Sequence, residues 1–187
     1  MKNFEIGAIV LGLVAGTVQA EPVQWSVADG GNGHWYEAVL AQSGITWLDA
    51  NEAAIERSGY LVSITSEDES QWIREEVSSN PALWTDGWGT QNAGPYIGAR
   101  HDGDSWSWTT TETWSYTNWH PGNPNNTPNA VVVLFDLDGS DGGYGWQDIN
   151  YPPGPDWIIS YIVEWDHDPI IQWRIEDGGN GHWYQLV

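Results

Sequence analysis

The stretch from Asn118 to Asp148 constrains the fold more than any other part of this chain. It opens Asn118-Trp119-His120-Pro121-Gly122-Asn123-Pro124-Asn125-Asn126, where Pro, Gly and Asn exclude both a helix and a central strand. A continuous apolar run, Ala130–Phe135, follows and suits a buried strand. An acidic, Gly-rich turn carrying Asp136, Asp138 and Asp141 then leads to Trp146-Gln147-Asp148. A rigid loop, a buried strand and a short return strand bring side-chain oxygens from both ends of the stretch to one place. Hard cations such as calcium need several oxygen ligands converging in this way.

The chain around this stretch is long enough, at 187 residues, for one domain with a proper core. Five Lys and Arg stand against 26 Asp and Glu, a net charge of -21. That sign argues against nucleic acid or an anionic membrane as partner and favours cations, neutral ligands or basic surfaces. Solubility alone is the plainer account of the charge. Residues 1–20 read as a secretory signal: Lys2, the apolar run Ile6–Val14 and the small-residue pattern Val18-Gln19-Ala20. The run is too short to insert as a permanent membrane helix, so the chain is expected to be secreted or otherwise extracytoplasmic. Cys is absent, which is unusual in a small exported domain, and 15 Trp supply the core instead.

Read in order, the exported part predicts a strand over His34–Leu40 and a helix over Thr46–Ser58. Thr46 is placed to cap that helix at its start and Gly59 at its end. A short strand over Tyr60–Ile64 precedes a second helix through about Val77, opened by the capping-box pattern Ser66–Glu69, with Trp72, Ile73 and Val77 as its buried stripe. Ser79–Gly94 reads as loop. Tyr96–Ala99, Ser105–Trp108 and Trp157–Trp165 read as strands. One strand, two helices and then many strands is an α+β pattern.

Trp119, Gly122, Asn123-Pro124-Asn125-Asn126, the buried strand and Trp146-Gln147-Asp148 together resemble the long-loop region of C-type lectin-like domains. Tyr96-Ile97-Gly98-Ala99 and Val163-Glu164-Trp165 resemble two further family strands, so the likeness covers roughly residues 32–166. The resemblance implies an α+β fold of two helices, small antiparallel sheets and a long loop region, here in a cysteine-free, bacterial-type form. It implies calcium held by Asn123, Asn125, Gln147 and Asp148, with sugar hydroxyls completing the shell. Asn123 and Gln147 depart from the family's Glu and Asn. With one carboxylate among the four groups, the expected affinity is weak, at or above roughly the millimolar limit of extracellular modules. The family's cysteines would fall near Ala54, Ala130, Tyr151 and Val163, which implies that Ala54 touches Val163.

Gln172–Val187 repeats Gln24–Val39 with 11 of 16 positions identical. The organisation expected is therefore a signal at 1–20, one domain at 21–168, and at 169–187 either the start of a second copy, as in a longer multidomain chain, or a spare strand.

Two readings of the loop chemistry stand side by side. Asn123, Asn125, Gln147 and Asp148 ligate a cation, or they satisfy loop backbone. Trp119 and Trp146, with His120 beside them, offer aromatic faces to a sugar, or both tryptophans are core. Asp136, Asp138 and Asp141 read as a solvated turn, because their spacing does not fit an EF-hand loop. No G-x-S-x-G, H-E-x-x-H or phosphate-cradling motif is present, so a binding module is expected rather than an enzyme. The function expected is carbohydrate recognition, weakly calcium-dependent. The alternative is calcium-independent protein binding or adhesion on the same fold.

Overall fold

The computed structural model describes residues 20–86, 91–125, 129–137, 143–150, 157–172 and 183–185. In chain order these form β1 (Val23–Gln24), β2 (Trp35–Leu40), α1 (Trp47–Glu56), β3 (Tyr60–Leu61), α2 (Glu67–Trp72), β4 (Thr85–Asp86), β5 (Gln91–His101), β6 (Trp106–Trp108), β7 (Ala130–Leu137), β8 (Tyr144–Asn150), β9 (Ser160–Trp165), β10 (Ile170–Gln172) and β11 (Trp183–Gln185). The signal-like segment lies outside the described residues, apart from Ala20. The main sheet runs β1-β2-β9-β5-β7-β8, with β3 on β9 and both β4 and β6 on β5. Pairing is antiparallel except between β5 and β9, which meet in parallel at Tyr96 and Tyr161.

Both faces of this sheet are covered, which explains its continuous apolar strands. On one face Ile97, Ala99, Val132, Leu134 and Ile162 pack with Ile64, Ile73 and Val77 of the α2 region. On the other, Tyr96, Val131, Val133, Tyr161, Val163 and Trp165 pack with Trp47, Ala50 and Ala54 of α1. Successive residues of β7 therefore serve alternate cores, as the two-residue period of a strand requires. Ala54 and Val163 share the second core, as the expected contact between them requires.

The helices begin where expected. Thr46 and Ser66 each accept an N–H three residues on. Their further course differs. α2 ends at Trp72, and a single wide turn carries the chain on to Val77. Trp72 is only half-buried and stacks on Trp25 at 5.8 Å. α1 ends at Glu56, and Ser58, not Gly59, takes the left-handed backbone at φ 60°. Gly59 is needed for space. A Cβ there would stand 2.7 Å from the Glu164 carbonyl, the Trp165 indole nitrogen and the Val163 side chain. Within the expected loop 79–94 a 3-10 turn forms at Pro81–Leu83, followed by β4 and the start of β5 at Gln91.

Among the described residues three glutamates are buried, and each has partners. Glu37 of β2 pairs with Arg57. Glu69 departs from a capping box: instead of reaching back to Ser66, its carboxylate accepts from Thr65 and from the Tyr36 hydroxyl, the latter at 2.7 Å. Glu164, at the centre of the sheet, accepts the Ser63 N–H at 2.9 Å and meets His34 Nδ1 at 2.6 Å. Burial pushes the Glu164 carboxyl up to about 7. The same hydrogen bond raises His34 above its ordinary value.

β10 and β11 form a separate two-stranded sheet in which Gln172 opposes Trp183 and Ile171 opposes Tyr184. In β1 and β2, Gln24 opposes Trp35 and Val23 opposes Tyr36. The repeated sequence thus pairs in the same register twice.

Three outcomes are expected from this packing. Gly59→Ala should cost about 1–3 kcal/mol by overpacking against β9, measured by denaturant unfolding. Ala54→Cys with Val163→Cys should oxidise to a disulfide worth about 2–4 kcal/mol, visible as a rise in Tm lost on reduction. Glu164 and His34 both bind protons more tightly folded than unfolded. Their stabilisation is complete below the unfolded values and is lost as pH rises through the folded ones. The chain should therefore unfold more easily at pH 8 than at pH 6, and Glu164→Gln should flatten that difference.

Candidate functional site

Backbone stitching between the long loop and β8 builds the site. The Trp146 N–H donates to the Asn118 carbonyl at 2.7 Å, and the His120 N–H donates to the Trp146 carbonyl at 2.9 Å. Trp119 and Trp146 thereby form an isolated parallel bridge. The approach is close because residue 145 is Gly: a Cβ there would lie 3.0 Å from Asn118 O and His120 N. The loop then turns through an Asn123 N–H to His120 carbonyl bond at 2.9 Å and a cis Asn123–Pro124 peptide. The Asn125 N–H ends the turn on Asp148 Oδ1 at 3.0 Å.

Loop and strand are thus joined at the residues the sequence singled out. Asp148 is buried at 3% exposure, although it is the one carboxylate among the four. Its second oxygen, Asn123 Oδ1, Gln147 Oε1 and His120 Nε2 are all buried without a hydrogen-bond partner. Buried polar atoms are normally paired, since an unpaired one costs about 1–3 kcal/mol. Each such oxygen is an acceptor of the kind that a hard cation or a ligand hydroxyl satisfies. Among the described residues no three His, Asp or Glu side chains cluster to hold a metal, so any ion there depends on amide oxygens. No described hydrogen bond joins Gln147 to Asn123 or Asn125. Gln147 sits in β8 opposite Val133.

The aromatic neighbours divide. Trp146 is fully buried and belongs to the core. Trp119 is half-buried, 4.8 Å from Trp106, which in turn stacks on Trp114 at 5.9 Å. Trp106 and Trp114 extend this half-buried aromatic surface, and neither was among the expected site residues. The His120 ring meets Phe135 edge-on at 4.9 Å, so it is seated in the fold rather than loose in the loop. Of the acidic turn, Asp136 is engaged by Arg74 at 3.0 Å, while Asp138 and Asp141 lie outside the described residues. A cleft of about 290 Å³ lined by Trp47, Arg100, His101 and Asn129 includes none of the six expected site residues.

The lectin C-type domain profile matches residues 43–150, more than half of the chain. The chain belongs to the C-type lectin family. The domains of this family are binding modules. A perlucin-like protein of Mytilus galloprovincialis is 30% identical over 116 residues, 60% of this chain and 62% of that protein, so the chain spans about three fifths of this relative's length. The C-type lectin domain of murine dendritic cell inhibitory receptor 2, solved in complex with N-glycan, superposes with a TM-score of 0.51 at 25% identity, covering 71% of this chain and 90% of that one. A calcium-independent type II antifreeze protein shares the fold with a TM-score of 0.53 at 19% identity, covering 80% and 96%.

Asp148 is the pivot of this geometry. Asp148→Asn keeps an acceptor for the Asn125 N–H and should leave stability nearly unchanged in a chelator. Asp148→Ala removes that acceptor and should cost about 1–3 kcal/mol under the same conditions, read by thermal unfolding.

Proposed function

We propose that this chain is a carbohydrate-recognition module in which Asn123, Asn125, Gln147 and Asp148 hold a calcium ion weakly. Trp119 and His120 flank the bound sugar. The observation that carries this reading is the set of buried, unpaired oxygens on Asn123, Gln147 and Asp148 where the long loop meets β8. The ion would supply positive charge to those oxygens and coordination sites for vicinal hydroxyls. The protein's own part is to hold the loop against β8 and to offer the Trp119 face to a sugar's CH surface. An amide-rich donor set with one carboxylate binds calcium more weakly than a carboxylate-rich one. Export follows from the signal-like residues 1–20, and the cysteine-free sequence is the basis for a bacterial-type assignment. Among the described residues no helix is long and apolar enough to cross a membrane.

A second reading is calcium-independent protein binding on the same surface. It is favoured by the Asn125–Asp148 hydrogen bond, which ties the loop to β8 through protein atoms alone.

Calorimetric titration with calcium, followed by glycan-array binding with and without a chelator, separates the two. Carbohydrate recognition predicts millimolar calcium binding, a Tm that rises with calcium and chelator-sensitive glycan binding. Asp148→Ala should abolish all three, whereas Asp141→Ala should weaken calcium binding only slightly through charge. Equal losses would place the ion on the acidic turn, and no calcium-induced rise in Tm would favour the second reading.

A further inference from the structure

Among the described residues, Arg57 pairs with Glu37 and Arg74 with Asp136, whereas Arg100 has no described ion pair. Arg100 is exposed at the end of β5, opposite Ser107 of β6 and Val131 of β7. There it lines the cleft of about 290 Å³ beside the start of α1. That cleft lies apart from Asp148. Val131, which also lines it, packs in the core against α1, while Val132 packs in the other core and stands opposite Asp148. Directly opposite residues of an antiparallel pair share a face. The cleft and the Asp148 carboxylate are therefore on opposite faces of β7.

The polar groups around the cleft are held by their neighbours. His101 Nδ1 accepts the Gly103 N–H at 3.1 Å, which puts the proton of the neutral ring on Nε2, and the ring meets Trp106 edge-on at 5.1 Å. Asp102 Oδ1 accepts the Asp104 and Ser105 N–H groups at 2.9 and 3.0 Å, and Oδ2 remains an acceptor. Asn129 takes left-handed backbone at φ 59°, which Asn adopts more readily than most residues. Leu48, 43% exposed, supplies an apolar wall. The lining thus offers donors on Arg100, His101 and Asn129, acceptors on Asp102 and Asn129, and one cation against one anion. An uncharged ligand that both donates and accepts matches that set, and hydroxyl groups do both. The net charge of -21 disfavours an anionic occupant. The volume lies at the small end of ligand sites, near about 300 Å³, the scale of a monosaccharide.

We propose that this cleft is a second, metal-free saccharide subsite. A neutral monosaccharide unit lies against Leu48 and shares its hydroxyls among Arg100, His101, Asp102 and Asn129. The subsite stands whether or not the long loop holds calcium, since none of these residues belongs to the loop's oxygen set.

The test is an NMR titration of the whole chain in a chelator, which silences any calcium site. The probes are the neutral methyl glycosides of glucose, galactose, mannose and N-acetylglucosamine. At least one should shift the backbone amides of Leu48, Arg100–Asp102 and Asn129–Val131. Arg100→Ala should weaken that binding about tenfold, as loss of hydrogen bonds from a charged donor does, and should leave Tm unchanged. Three results overturn the proposal. The first is no shift with any probe at about 50 mM, where a millimolar site is filled. The second is a set of shifts confined to residues 118–125 and 146–148, which assigns the binding to the long loop. The third is tighter binding of methyl glucuronide than of methyl glucoside, which makes Arg100 a carboxylate receptor instead.

Discussion

The burial of β9 is the constraint on which the rest of this fold depends. Ser160–Trp165 is buried at every position, lies between β2 and β5, and contributes to both cores. A strand this enclosed can hold a carboxylate only if the surrounding elements bring partners to it. Glu164 therefore dictates the positions of His34 in the approach to β2 and of the Ser63 N–H beyond β3. Gly59 is fixed by the same strand, because a side chain there would strike β9 backbone. A cysteine-free chain has no bridge to tie its first helix to its last strand. Ala54 and Val163 do that by packing in one core.

The long loop obeys a second, more local rule. It has little regular structure of its own, so its course is set by the groups it meets on β8: the Trp146 backbone at one end and the Asp148 carboxylate at the other. The core thus lends rigidity to a Pro- and Asn-rich loop. Asn123 in the loop, and Gln147 and Asp148 on β8, each keep a buried oxygen without a hydrogen-bond partner. Membership of the C-type lectin family rests on the domain match over residues 43–150. The half-buried surface of Trp106, Trp114 and Trp119 lies against Trp146 of β8.

Sequence alone determined what depends on local rules and on a recognisable long-range pattern. The N-caps at Thr46 and Ser66 were legible because a hydroxyl before a helix has one local use. The buried β7 was legible because an uninterrupted run of β-branched residues suits a strand covered on both faces. The motif spacing that the family shares brought the loop to β8, with Asn125 on Asp148 and Trp119 beside Trp146. Tertiary structure decided what depends on neighbours distant in the chain. Gly59 reads as a helix stop, yet space against β9 is what requires it. Glu69 reads as half of a capping box, yet its carboxylate turns to Thr65 and Tyr36. Glu164, a charge inside an apolar run, could have signalled a buried ion pair, but its partner His34 lies 130 residues away and no local periodicity names it. The unpaired oxygens of the site also belong to the tertiary structure, because whether a polar atom finds a partner is settled only once the loop and β8 are packed together.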